Sequence, residues 1–184
     1  MTYFKYVLVG LLTVAVAYLT LCLFTPNRLV ISQTIIINAP IDSVFRNVNE
    51  IEQWPQWHPW FLDMDTARYS VTAVTKPKIK WLSENEKGGR IEIIGFEKNQ
   101  NIQTSLTYEK EDYEKVNQGE FLFEVQGNRT LVSWILVGTE YPFLLKPSTI
   151  VLKGIFTSNY EKGLKNLKAY SEGVPLPKKR RIDQ

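Results

Sequence analysis

The chain has a single cysteine, Cys22, and a single histidine, His58, in 184 residues. Cys22 lies within an apolar run, so no disulfide holds the rest of the chain together. One histidine with no cysteine near it leaves no ordinary ligand set for zinc, and no metal site or cofactor is implied. There is no GxSxG elbow and no glycine-rich phosphate loop. Gly88-Gly89 reads as a turn instead. A surplus of charge is missing too. Residues 25–172 hold 17 Lys and Arg against 18 Asp and Glu, while the net +3 owes much to the terminal Lys178-Lys179-Arg180-Arg181. A body that neutral lacks the basic face a nucleic-acid partner requires. Internal repeats and low-complexity segments are also missing.

What the chain does have is a run without charge from Tyr6 to Phe24, YVLVGLLTVAVAYLTLCLF. At about 1.5 Å per residue it reaches roughly 28 Å as a helix, close to the hydrocarbon thickness of a bilayer. Two other readings compete with an uncleaved anchor. A cleaved signal would use Ala15-Val16-Ala17, but that triplet sits mid-run with seven apolar residues still to come. A lipoprotein signal would use Leu19-Thr20-Leu21-Cys22, but Leu21 stands where such signals carry a small residue. Cys22 therefore reads as a small apolar residue facing lipid. Lys5 and the amino terminus outweigh Arg28 by about one charge, which tilts the domain to the outer side, in a bacterium the periplasm. The expected division is a flank over 1–5, a transmembrane anchor over 6–24, a domain over 25–172 and a basic, disordered tail over 173–184.

The domain reads as α+β. Leu29 to Asn38 is rich in β-branched residues and predicts a strand. Pro40 opens a short helix to Asn49, with Ile41, Val44, Phe45 and Val48 at helical spacing. A second short helical or turn segment, IEQWPQWHPWF, is broken by Pro55 and Pro59. Strand signals follow over Ala67–Val74, Ile79–Ser83, Arg90–Glu97, Ile102–Glu109, Val116–Val125 and Thr130–Gly138, the last two joined by a Gly127-Asn128 hairpin turn. Ile102, Thr104, Leu106 and Tyr108 share one face. Phe121, Phe123 and Val125, with Val132, Trp134 and Leu136, line the same inner side. Half-apolar alternation of this kind makes an antiparallel sheet with one covered face. The cover is a helix from Ser148 to Glu172, whose stripe is Ile150, Ile155, Tyr160, Leu164 and Leu167, stopped by Gly173 and Pro175.

An apolar N-terminal helix, a strand ending in INAP, then IDSVFRNVNEIEQWPQWHPWF, TLVSWILVGTEYPF and NYEKGLKNLKAYSE together resemble the START-like superfamily called SRPBCC. The similarity is to its polyketide cyclase/dehydrase-like branch, whose members often begin with one membrane helix. It covers nearly the whole chain after the anchor. It implies a helix-grip fold: a curved antiparallel sheet wrapped on a long C-terminal helix, with an apolar cavity between them. Relatives of this kind bind lipids, sterols, polyketides and other hydrophobic molecules, and some catalyse ring closure. The chain departs from the branch at His58, where members usually show Ser.

The candidate cavity lining is Trp54, Trp57, Trp60, Phe61, Trp81, Leu106, Tyr108, Phe121, Phe123, Trp134, Leu136, Phe156 and Tyr160. Trp54, Trp57 and Trp60 are three apart and share one helical face. They read either as an aromatic gate that stacks flat ligands and orients a polar group through an indole N–H, or as a plug packing the short helices on the sheet. His58 is the residue that titrates near neutrality and, with Tyr108 and Tyr160, a weak candidate for proton transfer. Asp63 and Asp65 stand near enough in sequence to orient it. Three functions follow. The first is a membrane-anchored module binding a hydrophobic small molecule or lipid in an aromatic-lined cavity. The second is a cyclase- or dehydratase-type enzyme. The third is a non-catalytic subunit with a membrane-protein partner and a cavity filled by its own side chains. The volume between sheet and terminal helix separates the first two from the third.

Overall fold

The computed structural model describes residues 2–62, 64–74, 76–82, 88–110 and 113–176. The apolar run forms helix α1, Thr2–Phe24. It is the one helix among the described residues long and apolar enough to cross a membrane, and only 6% of its most apolar window is buried. A core helix of a soluble domain would be mostly buried. Its last turns nevertheless touch the domain. Cys22 and Thr25 are buried, so Cys22 faces protein rather than lipid as the sequence suggested.

Strand β1, Arg28–Ile37, leads to Pro40 at the N-cap of helix α2, Ile41–Asn49. Its amphipathic pattern buries Val44, Phe45 and Val48. The tryptophan segment begins as a 3₁₀ helix over Ile51–Gln56 that contains Pro55. Six strands follow: β2 Tyr69–Thr72, β3 Lys78–Leu82, β4 Gly88–Glu97, β5 Asn101–Lys110, β6 Tyr113–Gln126 and β7 Arg129–Glu140. With β1 they form one sheet in the order β1-β7-β6-β5-β4-β3-β2, every neighbour antiparallel. Register shifts at Arg28/Val30 and Ile93/Gly95 mark irregularities of the kind that bend a sheet. Between β6 and β7, Gly127 has φ +63°, the left-handed region a two-residue hairpin turn demands of its first position.

Helix α3, Ser148–Ser171, lies against the sheet, with most of its contacts to β1. It ends in a Schellman motif. Gly173 has φ +68°, its N–H donates to Tyr170 O, and the Val174 N–H donates to Ala169 O. The order and type of elements match the sequence expectation, which makes this a helix-grip α+β fold.

Four details differ. Gly88 and Gly89, expected as a turn, open strand β4 and pair with Leu82 and Trp81. The predicted strand over Ala67–Val74 shrinks to four residues because a 3₁₀ turn, Thr66–Arg68, precedes it. Val125 is 63% exposed, beside the hairpin turn at the end of β6. Ile150 and Ile155 are 56% and 54% exposed, and the side of α3 packed on the core runs instead through half-buried Leu152 and Phe156 to Tyr160, Leu164 and Leu167. Ser83, Asp63 and the tail from 177 to 184 lie outside the described residues.

Candidate functional site

The aromatic interior is built by three elements that converge on the sheet. The short α2 presents its C-terminal carbonyls toward the tryptophan segment. The Trp54 indole N–H donates to Val48 O at 2.8 Å, and the Trp57 indole N–H donates to Asn47 O at 3.1 Å. Carbonyls at a helix C-terminus have no intrahelical partner, so these indoles close off the end of α2. Asn166 of α3 then holds the Trp57 carbonyl through its side-chain amide at 3.0 Å. The segment is therefore tied to both α2 and α3, and the two indole N–H groups are already engaged.

Every predicted lining residue lies in or against one core. Trp54, Trp57, Phe61, Phe121 and Leu136 are essentially inaccessible. Leu106, Phe123, Trp134 and Tyr160 are also buried. Trp60, Trp81, Tyr108 and Phe156 are half-buried and pack against the rest. Their rings stack on one another. Trp134 lies between Phe121, at 4.7 Å and 20°, and Tyr160, at 4.0 Å and 27°. Trp60 and Trp81 approach to 5.9 Å, and both approach Tyr108. Gly163 of α3 admits the Trp134 ring, since a Cβ there would stand 2.5 Å from Trp134 Cζ3.

The space left among Trp54, His58, Trp60, Trp134 and Tyr160 is about 10 Å³. That is room for one water at most, whereas ligand sites span roughly 300–1,000 Å³. Here Trp54, Trp60, Leu106, Trp134, Leu136 and Tyr160, expected to line a cavity, close on one another instead. The alternation of the strands foretold which residues point inward but not that their volumes would close the gap.

His58 is buried in the same cluster, stacked on Trp54 at 5.1 Å and 8°. Its Nδ1 accepts the Trp60 backbone N–H at 3.3 Å. Burial lowers its pKa from 6.5 to about 3, with no charged neighbour contributing. The ring is thus neutral across the physiological range, and as a base it is weak. Burial pushes the phenols of Tyr108 and Tyr160 well above their usual range. Tyr141 adds to the first and Tyr108 to the second. These three groups stay uncharged and can act as hydrogen-bonding groups, but none is tuned to transfer protons near pH 7. Asp65 is exposed.

A larger opening lies elsewhere. A groove of about 700 Å³ runs between the start of β1 and the N-terminal half of α3, beside the end of α1. Its lining mixes apolar Leu29, Val30 and Ile150 with Arg28, Lys153, Glu161 and Thr157, and Gly154 forms part of its wall. Arg28 is paired with Glu140 at 2.7 Å. Sequence reasoning missed this groove. The signal was the small residues Gly154, Thr157 and Ser158 on one side of a helix that opens with large apolar ones.

The model of one protein family, described as polyketide cyclase / dehydrase and lipid transport, matches residues 28–172. No curated protein matches the sequence. Solved structures with the same fold include a protein from Mesorhizobium loti at 9% identity, TM-score 0.58, covering 80% of this chain and 99% of that one. A protein from Arthrobacter aurescens shows 12% identity and TM-score 0.59 over 85% of this chain and 92% of that one. DynU16, a protein in the dynemicin biosynthetic locus, shows 14% identity and TM-score 0.54 over 80% of this chain and 49% of its own. At these identities the likeness is one of fold.

Proposed function

The chain belongs to the polyketide cyclase / dehydrase and lipid transport family, and from that premise we propose that it is a single-pass, membrane-anchored, non-catalytic module that binds an apolar, bilayer-derived molecule in the groove between β1 and α3. One contrast carries this reading. Among the described residues, the space between Trp54, His58, Trp60, Trp134 and Tyr160 leaves about 10 Å³, while the groove beside the anchor leaves about 700 Å³. The groove combines apolar Leu29, Val30 and Ile150 with the charges of Arg28, Lys153 and Glu161 and the Thr157 hydroxyl, which suits an amphiphile with a polar head. The helix α1 supports the anchor reading, because its end packs on the domain through Cys22 instead of trailing away as a removable leader would. An anchor places the groove where apolar molecules are concentrated.

Native mass spectrometry of the full-length protein, released from nanodiscs, tests the reading. Bound lipid or apolar metabolite should be seen with the wild type and lost with Gly154→Trp. The Gly154 Cβ direction is open, with nothing within 4 Å, so the indole fills the groove without disturbing the core. Equal loading of both proteins would move the site elsewhere. Empty protein in both cases would sink the binding reading.

The filled interior also favours a second reading, a non-catalytic subunit of a membrane complex. Empty protein that co-purifies stoichiometrically with one membrane protein would support it.

A further inference from the structure

Six large apolar side chains are exposed within thirteen residues just beyond β7. Phe143, Leu144 and Leu145 form a 3₁₀ turn, and Ile150, Val151 and Ile155 lie on the first turns of α3. Their exposures run from 40% to 68%. Scattered exposed apolar residues need no explanation, but a contiguous shelf marks a contact surface. Its place relative to α1 is fixed. The Tyr18 hydroxyl donates to Leu144 O at 2.5 Å, and α1 packs against the 3₁₀ turn.

We propose that this shelf is immersed in the bilayer leaflet that surrounds α1, so that the domain rides partly within the membrane and not above it on a tether. The inference rests on the reading of α1 as an anchor. Its depth follows from helix geometry. Tyr18 is six residues, about 9 Å, inside the end of the apolar run at Phe24. If the shelf stood in water, α1 would have to emerge near residue 17. That would leave twelve apolar residues, about 18 Å, for a hydrocarbon core of about 30 Å. The whole run from Tyr6 to Phe24, about 28 Å, is needed to span, and this carries Leu144 below the boundary with it. Helices that lie in an interface bury their apolar face by about 5–10 Å, the same depth.

The chemistry of the segment agrees. Residues 141–160 contain no Asp or Glu, and their two charges are Lys146 and Lys153. Lysines can extend along apolar surface to reach headgroups, and Lys146 Nζ already lies 5.3 Å above the Phe143 ring. Backbone groups in lipid must be satisfied within the protein. The four carbonyls from Phe143 to Lys146 each accept a hydrogen bond. Phe143 O takes the Lys146 N–H, Leu144 O the Tyr18 hydroxyl, Leu145 O the Ser148 hydroxyl, and Lys146 O the Thr149 N–H and hydroxyl. Pro142 and Pro147, on either side, have no N–H to satisfy. Ile150 belongs to both shelf and groove, so immersion opens the groove at headgroup level, where an amphiphile enters sideways.

Spin labels on cysteines placed one at a time at Leu12, Val125 and Val151 test this in the full-length protein in phosphatidylcholine nanodiscs. Cys22 is buried and stays unlabelled. All three positions are exposed, so the labels leave the core intact. Collision with oxygen against a nickel chelate reads lipid or water. Immersion predicts an oxygen preference at Val151 several-fold above that at Val125 and on the same side as Leu12. Lipid at Leu12 with water at Val151 overturns the immersion while leaving the anchor standing. Water at Leu12 overturns the anchor and the immersion with it. A Val151 label shielded from both reagents overturns immersion in favour of a second copy or another protein on the shelf.

Discussion

If the interior is a packed core, adding one methyl group to Gly163 should destabilise the protein, and deleting one tryptophan should reverse the sign. The Cβ of Gly163→Ala would stand 2.5 Å from Trp134 Cζ3 and 3.2 Å from Pro59 Cδ. Neither neighbour yields easily, because Trp134 is held between Phe121 and Tyr160 and Pro59 is a rigid ring. Overpacking of this kind costs about 1–3 kcal/mol. Alanine in place of glycine within a helix returns about 1 kcal/mol. The net expectation is a loss of about 1 kcal/mol. Trp134→Ala alone should cost about 3–5 kcal/mol as a large-to-small core substitution. In that background the ring is gone, so Gly163→Ala should stabilise by about 1 kcal/mol, a coupling of about 1–3 kcal/mol between the two sites. Urea unfolding of the full-length protein in micelles measures all four corners of the cycle. Fluorescence reports it well, since the five tryptophans, at 54, 57, 60, 81 and 134, all lie in or against this core. Equal effects of Gly163→Ala in both backgrounds would refute the packing argument. So would a cost for Trp134→Ala below about 1.5 kcal/mol, which would mean a loose interior with room for a ligand.

Three further outcomes are expected. His58 has a folded pKa of about 3, below its usual 6.5, so the unfolded chain takes up the proton first. Its contribution is complete above pH 6.5 and is lost as pH falls toward 3. Stability should drop by about 2 kcal/mol between pH 7.5 and 5, a slope that His58→Gln should flatten in parallel urea titrations. Glu172 accepts from Lys168 Nζ at 2.7 Å and from the Asn38 N–H at 2.6 Å, which holds its carboxyl below the usual range. That contribution is present at neutral pH and lost in acid, so Glu172→Gln should cost about 1 kcal/mol at pH 7 and progressively less as pH falls below the ordinary carboxylate range, in the same assay. Trp54→Phe leaves Val48 O without its indole donor in a buried site and should cost about 1–3 kcal/mol, measured as a shift in the urea midpoint.

The fold was legible because its elements announce themselves by period and punctuation. Ile102, Thr104 and Leu106 alternate as a half-covered strand must, and Gly127-Asn128 and Gly173 sit where a hairpin and a helix end require them. The site was less legible, for two physical reasons. Alternation states which way Trp134, Phe121 and Tyr160 point, but whether they meet depends on volumes summed across elements distant in sequence. Gly163, which admits the Trp134 ring, gives no local sign of that role. The second reason concerns Ile150 and Ile155. They lie off the side of α3 that packs on the core through Leu152, Phe156 and Tyr160, and the sequence alone does not say which apolar positions of a helix face the core. Here the exposed side carrying Ile150, Val151 and Ile155 has no acid between residues 141 and 160 and lies beside a helix of bilayer length. The Tyr18–Leu144 hydrogen bond joins α1 to the shelf, a contact 126 residues apart in sequence that no local reading could supply. The same pattern that suggested one long core helix thus divides into a core face, which closes the interior, and an outer face near its start, which under the proposed anchoring meets lipid and borders the groove.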